Sequence, residues 1–288
     1  TKNNAFLSLP FDDANIDTGA LTGTAGISWI PNNVMQWKLN ASTAFRAPNI
    51  DDVGKIFDSE PGSVVVPNDN LKPEYAYGAE LGLTLNFNND IVFDFATYYT
   101  YLDDALVRRD YMINGQTQII YDGELSTVQA IQNASKAWIY GFEAGVKISF
   151  NEFLKFTSQF SVIGGTEEDM DGIEVPVRHV APAFGNAHLI WKKGKLKLDG
   201  FVIYNNELSF DQLAPSEIDK DYLYALDRNG NPYSPSWYTL NIRSQYEFSK
   251  SIALTATVEN ITNQLYRPYS SGISAPGTNL IVSFRYSL

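Results

Sequence analysis

Residues 74–101 read "EYAYGAELGLTLNFNNDIVFDFATYYTY", two runs of strict alternation separated by one tight turn. In the first run Tyr75, Tyr77, Ala79, Leu81, Leu83, Leu85 and Phe87 alternate with Glu74, Gly78, Glu80, Thr84 and Asn86. Asn88-Asn89-Asp90 reverses the chain, and Ile91, Phe93, Phe95, Tyr99 and Tyr101 resume the period. A period of two is that of a strand with one apolar and one polar face. Each run is roughly twice the usual length of about five or six residues.

The same cadence extends in both directions. Upstream, Leu21, Ala25, Ile27 and Trp29 share a face, Pro31-Asn32-Asn33 turns the chain, and Met35, Trp37, Leu39, Ala41 and Phe45 follow. Downstream, Trp138, Tyr140, Phe142, Val146, Ile148 and Phe150 lead through Asn151 into Leu154, Phe156, Phe160 and Val162. A strand over about 181–191 turns at Lys192-Lys193-Gly194 into Leu196, Leu198, Val202 and Tyr204. Tyr238, Leu240, Ile242, Tyr246 and Phe248, then Ile252 to Val258, then Leu280 to Leu288 complete the series. Between the hairpins lie long polar stretches near 47–73, 109–136, 165–180, 206–235 and 260–279.

Long strands with short turns at one end and long loops at the other are expected of a transmembrane antiparallel β-barrel. Aromatics cluster near the strand ends, as an interfacial girdle requires. The polar face carries Glu80, Glu143, Lys147, Lys155, Arg243, Glu247, Glu259 and Arg285. A charge facing lipid at mid-bilayer costs about 2–4 kcal/mol, so this face is expected to line an aqueous or protein-filled lumen. A soluble sandwich would have to cover the rows of Tyr and Phe with a second sheet.

The pattern counts to eleven strands. Single-chain bacterial barrels have even strand numbers, and eleven is half of the roughly 22 found in plugged outer-membrane transporters. We therefore expect the C-terminal half of a larger barrel. On this expectation residues 1–288 are one part of it, and the plug and N-terminal strands are expected outside the sequence. Opening on Thr1, within patterned sequence and without a signal peptide, agrees with a fragment.

Composition narrows the function. There are 17 Tyr, 17 Phe and 5 Trp, no Cys, and only His179 and His188 as imidazoles. No thiolate chemistry or disulfide framework is available. A net charge of −12 opposes nucleic acid as partner. No Ser-His-Asp set, catalytic carboxylate pair or phosphate-cradling Gly loop is present, so neither an enzyme nor a cofactor is expected. Asp227-Arg228-Asn229-Gly230-Asn231 has calcium-loop spacing at its start but lacks the terminal Glu, and reads as a Gly-centred turn. The acidic groups Glu167-Glu168-Asp169 and Asp219 to Asp221 read as solvated loop tips.

Specific segments resemble a family. Phe45-Arg46-Ala47-Pro48 ending one strand, and Asn68-Asp69-Asn70-Leu71-Lys72-Pro73-Glu74 opening the next, are similar to elements of TonB-dependent outer-membrane receptors. "QNASKAWIYGFEAGVKISF" (132–150) and "VENITNQLYRPY" followed by "NLIVSFRYSL" resemble further strands of the same receptors. Receptor barrels of this kind usually end in Phe or Trp, whereas this sequence ends in Leu288. The resemblance implies an outer-membrane importer in a Gram-negative cell. It would bind a scarce extracellular ligand, such as a ferric siderophore or haem, and draw on TonB energy through a plug. The alternatives are a passive porin and a barrel enzyme.

Pro48 and Pro73 cannot donate to a ladder and belong where pairing stops. Arg46 falls on the lumen face, placed either to pair with Asp51 or Asp52 or to meet an anionic ligand. The haem importers that resemble this region carry an axial histidine in the loop after Phe-Arg-Ala-Pro. Residues 49–67 hold no His, Tyr or Met, and Phe57 is their sole aromatic residue, which speaks against haem coordination there. Loop residues suited to an anionic, aromatic or chelated ligand are Arg108, Arg109, Tyr111, Tyr121, Arg178, His179, Tyr222, Tyr224, Tyr266, Arg267 and Tyr269. His188 is expected within a strand on the lumen side, hydrogen-bonded there.

Overall fold

The structure, a computed structural model, describes residues 17–60, 62–169, 171–218 and 220–287. Leu288 and Asp219 lie outside the described residues. Eleven antiparallel strands form one meander in which each pairs with the next. They are β1 (Thr24–Trp29), β2 (Met35–Arg46), β3 (Glu74–Phe87), β4 (Ile91–Asp110), β5 (Glu124–Ser149) and β6 (Leu154–Glu168). The series continues with β7 (Phe184–Lys193), β8 (Leu196–Asn205), β9 (Trp237–Glu247), β10 (Ile252–Glu259) and β11 (Asn279–Tyr286). Among the described residues β1 and β11 do not pair with each other, so the sheet is an open wall.

Register sorts the faces. Leu39 opposes Leu81, Leu81 opposes Thr97, Thr97 opposes Phe142 and Phe142 opposes Val162. One residue along each strand, Lys38, Gly82, Ala96, Glu143 and Ser161 form the neighbouring row on the other face. The apolar row is exposed, as a surface made for hydrocarbon must be. Toward the long-loop end, Phe45, Tyr75, Tyr77, Tyr101 and Trp138 form a continuous aromatic row with centroid spacings of 6.0–6.5 Å. That row is the girdle anticipated from the strand-end aromatics.

The short turns are built by asparagine. Asn32 accepts from the Val34 and Met35 amides, and Asn151 likewise from Phe153 and Leu154. Asn88 and Asn89 take φ of 54° and 62°, a left-handed region that asparagine tolerates.

The expected loop over 109–136 is overturned. β4 runs on to Asp110 and β5 begins at Glu124, so the two strands continue as a hairpin beyond the aromatic row. A register shift at Leu102/Ala105, with Asp104 at φ 55°, marks where the wall becomes the projection. The loop after β2 docks on this hairpin. Its stretch Ser63–Val65 runs parallel to β5 at Thr127, Val128 and Gln129. Val64, Val66, Ile113, Ile119, Val128 and Ala130 make a small core there, with Ile56, Tyr111 and Tyr121 packed against it. β6 also outlasts its expected end, reaching Glu168, so Glu167 and Glu168 are partly buried strand residues, not loop tips.

Candidate functional site

Two long loops meet at one carboxylate, and a third reaches the phenols that bind it. The loop 206–236 folds its Pro215–Ile218 turn of helix inward, leaving Glu217 only 1% exposed. Tyr224 donates its hydroxyl to Glu217 Oε1 at 2.9 Å. Tyr269, from the loop between β10 and β11, donates to the same carboxylate at 2.8–2.9 Å. Leu208, Leu213, Ile218 and Leu223 pack around the pair and keep water out. Burial first, then the hydrogen bond and charge of Glu217, hold both phenols well above their ordinary pKa, so they remain donors. The third loop supplies Arg178, whose charge acts on Tyr224, and the His179 main chain, which hydrogen-bonds Tyr269.

Below this knot a cleft of about 560 Å³ runs down the lumen face, lined by Phe184, His188, Phe201, Trp237, Arg243 and Tyr269 among others. Alternation puts Phe184, Asn186 and His188 of β7 on one face, opposite Asn205, Ile203 and Phe201 of β8. His188 Nδ1 lies 3.0 Å from Asp199 Oδ1, and Asp199 is buried. The imidazole stacks on Phe201 at 4.9 Å with ring planes 10° apart. The Arg243 guanidinium sits 5.3 Å from the same ring, and its Nε donates to Thr257. Trp237 stacks on Tyr266 at 4.2 Å, closing the upper end. The cleft thus offers flat apolar walls, one imidazole and one cation.

Of the residues anticipated as ligand contacts, the structure gathers Arg178, His179, Tyr224 and Tyr269 at the knot. Tyr222 and Arg267 stand at its edge, where Arg267 donates to the Tyr222 carbonyl at 3.3 Å. The others are elsewhere. Arg46 pairs with Asp52 at 3.2 Å, and Asp52 also closes the capping box of the helix Ile50–Gly54. Phe57 lies under Lys55 at 5.2 Å, opposite Val65. Tyr111 and Tyr121 serve the small core of the projecting hairpin. Arg108 and Arg109 sit on β4, not in a loop, and Arg109 donates to the Glu168 carbonyl. Asp227 accepts from the Asn229 and Asn231 amides around Gly230 at φ 84°, the turn expected there. Those amides hold its carboxyl below the ordinary range.

Glu217, Asp199, Phe201, Trp237 and Arg243 were not singled out as ligand contacts from sequence. Parity alone could have found Asp199 and Arg243, as charges on the lumen face of alternating strands. Nothing local distinguishes Glu217 from a solvated loop acid.

Comparison with known proteins agrees with this architecture. Residues 1–261 match the family described as TonB dependent receptor-like, beta-barrel. Haemoglobin-binding protein A of Haemophilus influenzae is 26% identical over 270 residues, 88% of this chain and 26% of that protein. Haemoglobin-haptoglobin utilization protein B of Neisseria meningitidis is 26% identical over 267 residues, 85% of this chain and 32% of that protein. The chain therefore spans about a quarter to a third of these two relatives. Among solved structures, the siderophore receptor PirA from Acinetobacter baumannii superposes with a TM-score of 0.70 at 18% identity. It covers 93% of this chain and 41% of that one. The copper transporter OprC gives 0.70 at 15% identity, with 93% and 39% covered. The chain belongs to the TonB-dependent receptor-like β-barrel family.

Proposed function

We propose that the chain is the C-terminal part of the barrel of an outer-membrane importer that takes haem from an extracellular haemoprotein. The observation that carries this reading is the lumen cleft, with its aromatic walls, single imidazole and single guanidinium. Clefts that are mostly apolar with a few placed polar groups are the usual form of small-molecule sites. The relatives named for haemoglobin and haptoglobin support the choice of haem over other aromatic chelates. In this reading the projecting hairpin and the loop knot face the carrier protein, and the lumen receives what it releases. Movement past the wall is driven by TonB acting through a plug housed in the complete receptor.

The test is growth of a deletion strain on defined iron sources. We expect loss of growth on haemoglobin, restored by the intact gene, with growth on ferric siderophores retained. A defect confined to ferric siderophores would replace haem by a ferric chelate. No defect on any iron source would remove the iron reading altogether.

A further inference from the structure

Resting on the haem reading, we infer that His188 Nε2 is an axial ligand of the haem iron as it passes the lumen wall. The case is built from two contacts and one open ring nitrogen. Asp199, itself 4% exposed, accepts from His188 Nδ1, so in the neutral ring the lone pair resides on Nε2. A metal-ligating imidazole characteristically donates its other N–H to a carboxylate, which fixes the tautomer and raises ligand basicity. Among the described residues, Nε2 itself has no hydrogen-bond partner. The near-parallel stack on Phe201 holds the ring plane, so imidazole orientation is set from two directions.

The surroundings suit an iron tetrapyrrole in particular. From Phe184 at the rim to His188, four residues of extended chain span about 13 Å, a depth matched to a flat macrocycle standing along the wall. Phe184, Phe201 and Trp237 supply apolar surface along that path. Arg243 has no carboxylate partner among the described residues, which leaves its fork for a propionate. Residues 49–67 contain no His, Tyr, Met or Cys, so an imidazole ligand to the iron comes from the wall and not from the loop after Phe-Arg-Ala-Pro.

The experiment uses the intact receptor purified in detergent, titrated with ferric haem and, separately, with metal-free protoporphyrin. Absorption and electron paramagnetic spectra of the haem complex are recorded for the native protein, His188→Ala, His188→Gln, Asp199→Asn and His179→Ala. We expect an imidazole-ligated spectrum that is lost in both His188 variants and kept in His179→Ala. Asp199→Asn should retain ligation with affinity reduced about 10–100-fold. Protoporphyrin binding should be the same in the native and His188→Gln proteins, which also shows that the variant is folded. If His188→Gln leaves the haem spectrum unchanged, His188 is not the ligand and the haem reading survives. If the native receptor binds neither haem nor protoporphyrin, both fall together.

Discussion

Tyr269 donates its hydroxyl to Glu217 at 2.8 Å, joining two residues 52 positions apart in the chain and two different long loops. Tyr224 shares the same carboxylate, so removing Glu217 leaves one buried and one half-buried hydroxyl without that acceptor. An unsatisfied buried polar group costs about 1–3 kcal/mol. Glu217→Ala should therefore loosen 206–236 and 260–278 together while the wall stays folded. Hydrogen exchange by mass spectrometry reads this directly. Loosening of one loop without the other would mean that the carboxylate does not couple them.

The two phenols have a pH signature. Their raised pKa values mean that the folded state favours the neutral hydroxyl more than the unfolded chain does. Their contribution is fully present below the ordinary value of 10.0 and is lost as pH rises through the raised values. Spectrophotometric titration should show Tyr224 and Tyr269 ionising only in strong alkali, above the ordinary tyrosine range. In Glu217→Ala the late step should move toward the ordinary range. Simultaneous ionisation of all tyrosines in the native protein is the contrary result.

Two glycines in the wall should differ in cost when changed to alanine. A Cβ on Gly185 would stand 2.4 Å from the Gln159 main-chain oxygen and 2.5 Å from the Tyr204 hydroxyl. At Gly141 the nearest atoms belong to the Tyr98 side chain, at 2.3–2.7 Å, and a ring on the lumen side can swing aside. Gly185→Ala should cost about 1–3 kcal/mol and Gly141→Ala less. Urea denaturation in detergent micelles gives the order, and equal midpoints would contradict it.

Lipid facing can be tested one strand at a time. Ile242 is 46% exposed on the apolar face of β9, and Gln245 lies on the opposite face. Ile242→Arg should destabilise the barrel by about 2–4 kcal/mol if it lies near mid-bilayer, whereas Gln245→Arg should be nearly neutral. Folding yield into vesicles measures the difference. Equal yields would remove hydrocarbon from the picture.

The eleven strands, their turns and the assignment of faces were legible in the sequence because hydrocarbon on one side and water on the other impose one period along the whole span. Tyr75 to Phe87 carries that period by itself. Beyond the aromatic row the constraint lapses. There β4 and β5 have neither a lipid face nor a long apolar row, and the sequence over 109–136 reads as a loop. Its small core exists because Val64 and Val66 arrive from a loop more than 50 residues upstream of Val128 and Ala130.

Amino-acid order alone also placed His188 on the lumen side and closed the Asp227 turn, since strand parity and side-chain reach within five residues suffice for both. Which carboxylate meets His188 was decided by the pairing register of β7 with β8. Whether Glu217 is solvated or buried was decided by where Tyr269 comes to rest. Local pattern records the solvent a segment faces; contacts between distant segments depend on which of many compatible packings buries the most apolar surface with its polar groups satisfied.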